Sequence, residues 1–151
     1  MRGHLLRSIC QLASTQRNSK TGSKKLASLH ILLIDDDASV LRSIKFLLER
    51  CGYVVSDYTD QEVALDALRL DSSRFDLILI DYNMPGMSGI EVARAARMIR
   101  SGLPVAITSG YIDKELRSLA DEAGVQELIP KPCSGDDLIA IVERLVMAKF
   151  D

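Results

Sequence analysis

The sequence predicts an α/β fold, in which five βα units form a doubly wound, five-stranded parallel sheet with helices on both faces. From residue 29 onward, short apolar or β-branched segments alternate with longer segments whose apolar residues recur every three or four positions. Uninterrupted apolar runs are typical of strands that are covered on both faces. Strands that alternate with helices at this spacing indicate a parallel sheet.

The five predicted strands have distinct local signatures. "LHILLI" and "FDLILID" are apolar runs that lead directly into aspartate, and "YVVSD" is β-branched. "LPVAITSG" ends in small residues, and "VQELIP" ends at a proline. In chain order these strands cover residues 29–34, 53–57, 75–81, 103–110 and 125–130.

The five predicted helices are recognised by apolar stripes at helical spacing. Gly52 and Gly124 directly follow the first and fourth stripes, where a glycine commonly ends a helix. The stripes are Val40, Ile44, Leu47, Leu48 and Cys51; Val63, Ala64, Ala67, Leu68 and Leu70; Val92, Ala96 and Ile99; Leu116, Leu119, Ala120 and Ala123; and Leu138, Ile141, Val142, Leu145 and Val146.

Length and charge suggest one folded domain preceded by a tail. A chain of 151 residues suffices for one well-packed domain. Residues 1–28 hold six of the 19 basic residues and no acidic one, so the remainder has 13 basic against 21 acidic residues. We predict a flexible basic tail or linker over 1–28 and a domain over 29–151. A targeting helix at "MRGHLLRSICQLA" is a less favoured alternative.

The composition also limits the expected partners and location. An acidic domain is a poor candidate for nucleic-acid binding. No apolar run approaches the roughly 20 residues of a membrane-spanning helix. The three cysteines lack the spacing of a disulfide framework or a zinc finger, which suits a reducing compartment. A cytoplasmic protein that binds neither nucleic acid nor membranes is therefore expected.

Chemically active side chains follow four of the predicted strands. Ligands of open α/β sheets bind beyond the carboxyl ends of the strands, where Asp35, Asp36, Asp81, Thr108 and Lys131 all stand. Carboxylate oxygens suit Mg²⁺, and a lysine can pair with phosphate oxygens. One carboxylate in this set could attack phosphorus and form an aspartyl phosphate.

Each of these residues also has an ordinary structural explanation. Asp36 or Asp37 could cap the helix that follows, and for Asp37 the cap is the favoured interpretation. Asp81 could be a turn residue, Thr108 could bond to the backbone, and Lys131 could be a solvated surface side chain. Their joint occurrence at four strand ends favours a common site.

In order and spacing, "ILLIDDD", "LILIDYNMPGMSG", "VAITSG" and "IPKP" resemble the motifs of the receiver domain of two-component response regulators. The resemblance covers roughly residues 29–149 and implies a flavodoxin-like fold. It also implies that Asp81 is the phosphoacceptor and that Asp35, Asp36 and Asp81 hold Mg²⁺. The backbone carbonyl of Asn83 would complete the protein ligands of the metal.

The same resemblance assigns roles around the phosphoryl group. Thr108 would donate a hydrogen bond to a phosphoryl oxygen, and Lys131 would pair with the phosphoryl group. The Lys131–Pro132 peptide bond would be cis. Gly89 would allow the loop after the acceptor to turn into the next helix. Many receivers carry an aromatic switch residue where this chain has Leu128. Tyr111 could replace that switch, although an exposed loop tyrosine is the preferred interpretation.

The implied function is that of a phosphoacceptor in a two-component phosphorelay. Phosphoryl transfer from the phosphohistidine of a histidine kinase or histidine phosphotransfer protein to Asp81 would require Mg²⁺. It would switch a surface that contacts a downstream protein. The domain would be a signalling module that catalyses its own phosphorylation and dephosphorylation, rather than an enzyme for other substrates.

Three other functional classes fit the sequence less well. An aspartyl-nucleophile phosphatase usually needs a second aspartate where this chain has Asn83. A phosphorylation-independent interaction module would lack one of Asp36, Asp81 and Lys131, all of which are present. A dinucleotide-binding function is disfavoured because the sequence contains no G-x-G-x-x-G motif. Whether the domain is free-standing or part of a hybrid sensor kinase stays open.

Overall fold

Five parallel strands form one sheet within residues 29–148, the part of the chain that the computed structural model describes. The predicted tail over 1–28 and the last three residues lie outside the described residues. The strands are β1 (His30–Ile34), β2 (Val54–Tyr58), β3 (Leu77–Asp81), β4 (Val105–Ser109) and β5 (Glu127–Pro130). The helices are α1 (Ala38–Arg50), α2 (Gln61–Leu70), α3 (Gly89–Ile99), α4 (Lys114–Ala123) and α5 (Gly135–Ala148), with a 3₁₀ turn at Ser72–Arg74.

The strand order is β2-β1-β3-β4-β5, and all neighbouring strands pair in parallel. This arrangement confirms the predicted doubly wound α/β sheet. The order reverses between β1 and β3, so the crevice where such sheets bind ligands lies at the carboxyl ends of these two strands. Among residues 29–148, no helix combines the length and apolar character needed to cross a membrane.

The core consists of two apolar layers, one on each face of the sheet. Alternate residues of β1 point to opposite faces: Ile31 and Leu33 contact the layer with α1 and α5, whereas Leu32 and Ile34 contact the layer with α2, α3 and α4. Both sets of β1 side chains are therefore buried. This explains why β1 has an uninterrupted apolar run rather than an alternating one.

The buried face of α2 matches the predicted stripe in part, because Ala64 and Leu68 are buried as expected. Val63 and Leu70 were expected in the core, but they are 50% and 89% exposed. The buried residues of α2 are Ala64, Leu65 and Leu68. The predicted stripe is wider than the face that packs on the sheet, and spacing alone does not tell which of its residues are buried. The prediction for Val63 and Leu70 was therefore wrong.

A polar network surrounds the buried His30 at the amino end of the sheet. Its Nδ1 accepts a hydrogen bond from Arg74 Nε at 3.3 Å, so the neutral ring can donate from Nε2 to Ser56 Oγ at 2.7 Å. The ring packs edge-on against Phe75, and the backbone N–H of His30 donates to Asp76 Oδ2. Burial lowers the pKa of His30, the Arg74 charge lowers it further, and Asp76 opposes this in part.

Folding stability should consequently fall as the pH drops below about 6.5, the usual pKa of an unfolded histidine. In that range the unfolded chain binds a proton that the folded chain excludes, so acid favours unfolding. His30→Gln keeps a donor and an acceptor but cannot titrate. Between about pH 7.5 and about pH 5.5, its thermal midpoint should fall less than that of the wild type. Equal losses would show that His30 is not the source.

Candidate functional site

Three acidic side chains meet at the carboxyl ends of β1 and β3. Asp35 follows β1, Asp81 ends β3, and the pairing of Ile34 with Ile80 brings the two strand ends side by side. Asp35 and Asp81 are only 4% and 6% exposed, whereas Asp36 lies at the surface. One carboxylate oxygen from each of the three aspartates lies within 4.8 Å of the other two. The predicted acidic cluster is thus assembled.

Lys131 reaches this cluster from β5, across the intervening strand β4. Its Nζ donates to Asp81 Oδ1 at 2.7 Å and lies 3.9 Å from Asp35 Oδ2. Its backbone N–H donates to Ser109 O at 2.9 Å, which fixes the start of the side chain beside β4. The Lys131–Pro132 peptide bond is cis, as the sequence resemblance implied. The ammonium group therefore contacts one buried carboxylate and faces the other.

Thr108 lies beside the Asp81 position on the neighbouring strand. The two residues are register partners in the β3–β4 pair, and the backbone N–H of Tyr82 donates to Thr108 O at 2.8 Å. Register partners of parallel strands point to the same face, so Thr108 stands next to Asp81. Asn83 is an exposed residue two positions after Asp81. Its role as a backbone ligand stays a prediction.

The three consecutive aspartates have different environments. Asp37 caps α1, because its Oδ1 accepts from the backbone N–H of Ser39 at 2.9 Å and of Val40 at 3.4 Å. This confirms the predicted cap. The hydroxyl and backbone N–H of Ser39, together with that of Val40, lower the pKa of Asp37. The backbone N–H of Asp37 donates to Asp35 Oδ1 at 2.9 Å, so the cap residue also orients the first buried acid.

The electrostatics of the acidic cluster disfavour the charged form of Asp35. Burial raises the pKa of Asp35, and the charges of Asp81 and Asp36 add to the effect. The hydrogen bond from Asp37 and the Lys131 charge act in the opposite direction. Two unit charges about 4 Å apart repel by about 4 kcal/mol at an effective dielectric constant near 20. A cation bound here would remove much of that cost.

The acidic cluster also fits the coordination chemistry of Mg²⁺. This ion prefers hard oxygen ligands at about 2.1 Å, usually one or two carboxylates with several waters and phosphate oxygens. Ligand oxygens around it therefore lie up to about 4.2 Å apart. The span of 4.8 Å among the three carboxylate oxygens is close to that value.

Gly89 is required by close packing rather than by backbone conformation. Its φ is not in the left-handed region, but a Cβ at this position would lie 2.9 Å from both Asp81 O and Tyr82 Cα. Its backbone N–H donates to Tyr82 O at 3.0 Å. The loop after β3 thus closes directly onto the strand end that carries the phosphoacceptor candidate. Gly86, with φ +84°, is the residue of this loop with the left-handed conformation.

Two further positions bear on the sequence analysis. Tyr111 is 77% exposed, in agreement with the interpretation as a surface loop tyrosine. Leu128 is half-buried in β5 and packs against the core layer of α2, α3 and α4. Gln61 was missed, although its Nε2 donates to Pro85 O at 2.7 Å and Met87 O at 3.0 Å in the loop after β3. A polar residue at a helix start gives no sequence signal for such a contact.

The sequence model of the response regulator receiver domain matches residues 31–143. The transcriptional regulatory protein FixJ of Bradyrhizobium diazoefficiens is 34% identical over 117 residues, which are 78% of this chain and 56% of FixJ. The cell cycle transcriptional regulator CtrA of Caulobacter vibrioides is 32% identical over 120 residues, which are 78% of this chain and 50% of CtrA. A crystal structure of a response regulator receiver domain protein from Clostridium thermocellum has 30% identity and a TM-score of 0.76, covering 81% of this chain and 97% of that one.

This chain belongs to the response regulator receiver domain family. The resemblance drawn from the four motifs is confirmed, and so is the flavodoxin-like sheet. A receiver domain is a signalling domain, and the acidic cluster at its strand ends corresponds to the pocket in which the family binds Mg²⁺. The chain spans about half the length of FixJ and of CtrA. Because both relatives are named as transcriptional regulators, the expected absence of nucleic-acid binding stays a prediction.

Replacing Gly89 by alanine should destabilise the receiver domain by about 1–3 kcal/mol, because the added methyl group overpacks the backbone of β3. The measurement is urea unfolding of Gly89→Ala beside wild type. Gly102→Ala is the matched control, since a Cβ at Gly102 would meet no other atom within 4 Å. A loss of stability no larger for Gly89→Ala than for Gly102→Ala would contradict the packing argument.

Replacing Asp35 by asparagine should stabilise the metal-free receiver domain. The amide oxygen can still accept from the Asp37 N–H, while the charge beside Asp81 is removed. In buffer with a chelator, the thermal midpoint should rise by about 3 to 6 °C, the shift that about 1 kcal/mol produces in a domain of this size. Asp57→Asn, which removes a carboxylate paired with Lys45 outside the cluster, should give no rise. A lower midpoint for Asp35→Asn would refute the prediction.

Proposed function

We propose that this receiver domain accepts a phosphoryl group on Asp81 from the phosphohistidine of a histidine kinase or a histidine phosphotransfer protein. The reaction is one step of a two-component phosphorelay, and its product switches a surface that contacts a downstream protein. The observation that carries the proposal is the 2.7 Å contact between Lys131 Nζ and Asp81 Oδ1, beside two further carboxylates. A carboxylate that can act as a nucleophile, a lysine ammonium group and carboxylates that could bind a metal ion therefore lie together.

Asp81 is the nucleophile in this proposal. A carboxylate oxygen attacks phosphorus in line with the phosphorus–nitrogen bond of the phosphohistidine. The oxygen–phosphorus bond forms as the phosphorus–nitrogen bond breaks, and the imidazole leaves with the electron pair and takes up a proton. The burial of Asp81 keeps the acyl phosphate partly shielded from water.

Two positive charges would stabilise the negative charge that gathers on the transferring phosphoryl group. Asp35, Asp36, Asp81 and the backbone carbonyl of Asn83 would hold Mg²⁺, which would supply positive charge to offset that of the phosphoryl group. Lys131 supplies a second positive charge and pairs with a phosphoryl oxygen once Asp81 is modified. This role uses the position that Lys131 already occupies, 2.7 Å from Asp81 Oδ1.

Thr108 links the modification to the rest of the fold. Its hydroxyl, on the strand next to Asp81, donates to a phosphoryl oxygen and draws the end of β4 toward the site. The resulting shift in the population of two surface states is the signal that a downstream protein reads. Water later removes the phosphoryl group, and the neutral Asn83 side chain does not serve as a general acid for that step.

The test is phosphorylation of the full chain by a small phosphodonor, such as acetyl phosphate, in the presence of Mg²⁺. The wild type should gain the mass of one phosphoryl group, and Asp81→Asn should gain none, since an amide is not nucleophilic toward phosphorus. Asp66→Asn is the matched control, because Asp66 lies exposed on α2 and forms a salt bridge with Arg69 of the same helix. Undiminished labelling of Asp81→Asn would show that Asp81 is not the phosphoacceptor.

A further inference from the structure

Gln61, the first residue of α2, contacts the loop that follows the phosphoacceptor strand. Its side-chain Nε2 donates to Pro85 O at 2.7 Å and to Met87 O at 3.0 Å. These residues belong to the connection between β3 and α3, which begins directly after Asp81. A side chain at the start of one helix thus contacts the backbone of a site loop in a different βα unit.

One amide group suffices for both contacts. The NH₂ of glutamine has two hydrogens, so it can serve two carbonyl oxygens at once. Gly86 lies between the two accepting residues with φ +84°, and a Cβ there would lie 3.9 Å from Gln61 Nε2. The left-handed turn at Gly86 therefore faces Gln61, and the carbonyls on either side of it bind the same donor.

The segment that carries Gln61 is itself fixed on both sides. Asp60 caps α2 by accepting from the backbone N–H of Val63 at 3.1 Å. At the other end, Tyr58 O accepts from the backbone N–H of Asp35 at 3.2 Å. We call residues 58–61 the brace. The brace contacts the acidic segment after β1 through its backbone, and the loop after β3 through the side chain of Gln61.

We infer that Gln61 is a positioning residue for the metal and phosphoryl site, a role that rests on the proposed function of Asp81. Asn83 lies in the stretch between Asp81, which ends β3, and the Pro85–Met87 segment held by Gln61. Restricting one end of so short a stretch restricts the direction of the Asn83 carbonyl. A ligand held in place loses less conformational freedom on binding, so the metal binds more tightly.

The experiment measures Mg²⁺ affinity by calorimetric titration of the full, unphosphorylated chain. Gln61→Met keeps the length of the side chain but has no donor, and we expect about fivefold weaker binding, the effect of one ordinary hydrogen bond. Gln61→Glu adds a negative charge near the site. Its charge alone would strengthen Mg²⁺ binding, so weaker binding in both variants identifies positioning as the cause. Val63→Ala, an exposed neighbour on α2, should bind Mg²⁺ like the wild type.

A second measurement, hydrogen exchange of the amides of residues 86–88 without metal, tests the loop itself. Faster exchange is expected in Gln61→Met and not in Val63→Ala. Wild-type affinity in Gln61→Met, or tighter binding in Gln61→Glu, would overturn the inference and leave the proposed function intact. If the wild type does not bind Mg²⁺, the metal site of the proposed function fails, and the inference fails with it.

Discussion

The repulsion between two buried carboxylates, Asp35 and Asp81, is the interaction on which the rest of the site depends. Parallel pairing of β1 with β3 brings both acids to one edge of the sheet, where burial removes much of the water that would solvate them. The surrounding contacts offset that cost. The N–H of Asp37 bonds one oxygen of Asp35, and the Lys131 ammonium contacts Asp81 and faces the other oxygen of Asp35. The negative charge that remains favours the binding of a cation at the cluster.

The apolar sheet makes this concentration of charge tolerable. Asp35 follows β1 and Asp81 ends β3, and every residue of these two strands is buried. The backbone of both acids is therefore held by the strand pairing and by two core layers. The two aspartates are thus positioned by the apolar contacts of the other residues in β1 and β3. Stability and site chemistry are thereby separated along β1 and β3: the strand interior supplies packing, and the carboxyl end supplies an acidic side chain.

A feature could be predicted from the sequence where it depends on neighbouring residues or on periodic spacing. It could not be predicted where it depends on contacts with distant parts of the chain. Apolar runs in the sequence predict the buried strands and the acidic residues at their ends. The position of Asp37 directly before an apolar stripe predicts the helix cap. The buried face of α2 was predicted only in part, because the exposed Val63 and the buried Ala64 belong to the same apolar stripe. Gln61 was missed because its partners are 24 and 26 positions away. Gly89 was recognised, but its reason is the backbone of β3 and not its own φ.

The two sides of the site are held by different kinds of contact. On the β5 side, Lys131 is held to Asp81 by charge. On the β2 side, the brace holds both acidic segments through neutral hydrogen bonds, from the Asp35 N–H to Tyr58 O and from Gln61 to the loop carbonyls. A change of charge at Asp81 acts directly on the Lys131 contact and leaves the neutral contacts of the brace with the same partners. In the proposed function, the brace would keep its contacts when Asp81 is phosphorylated, while the Lys131 contact on the β5 side would change.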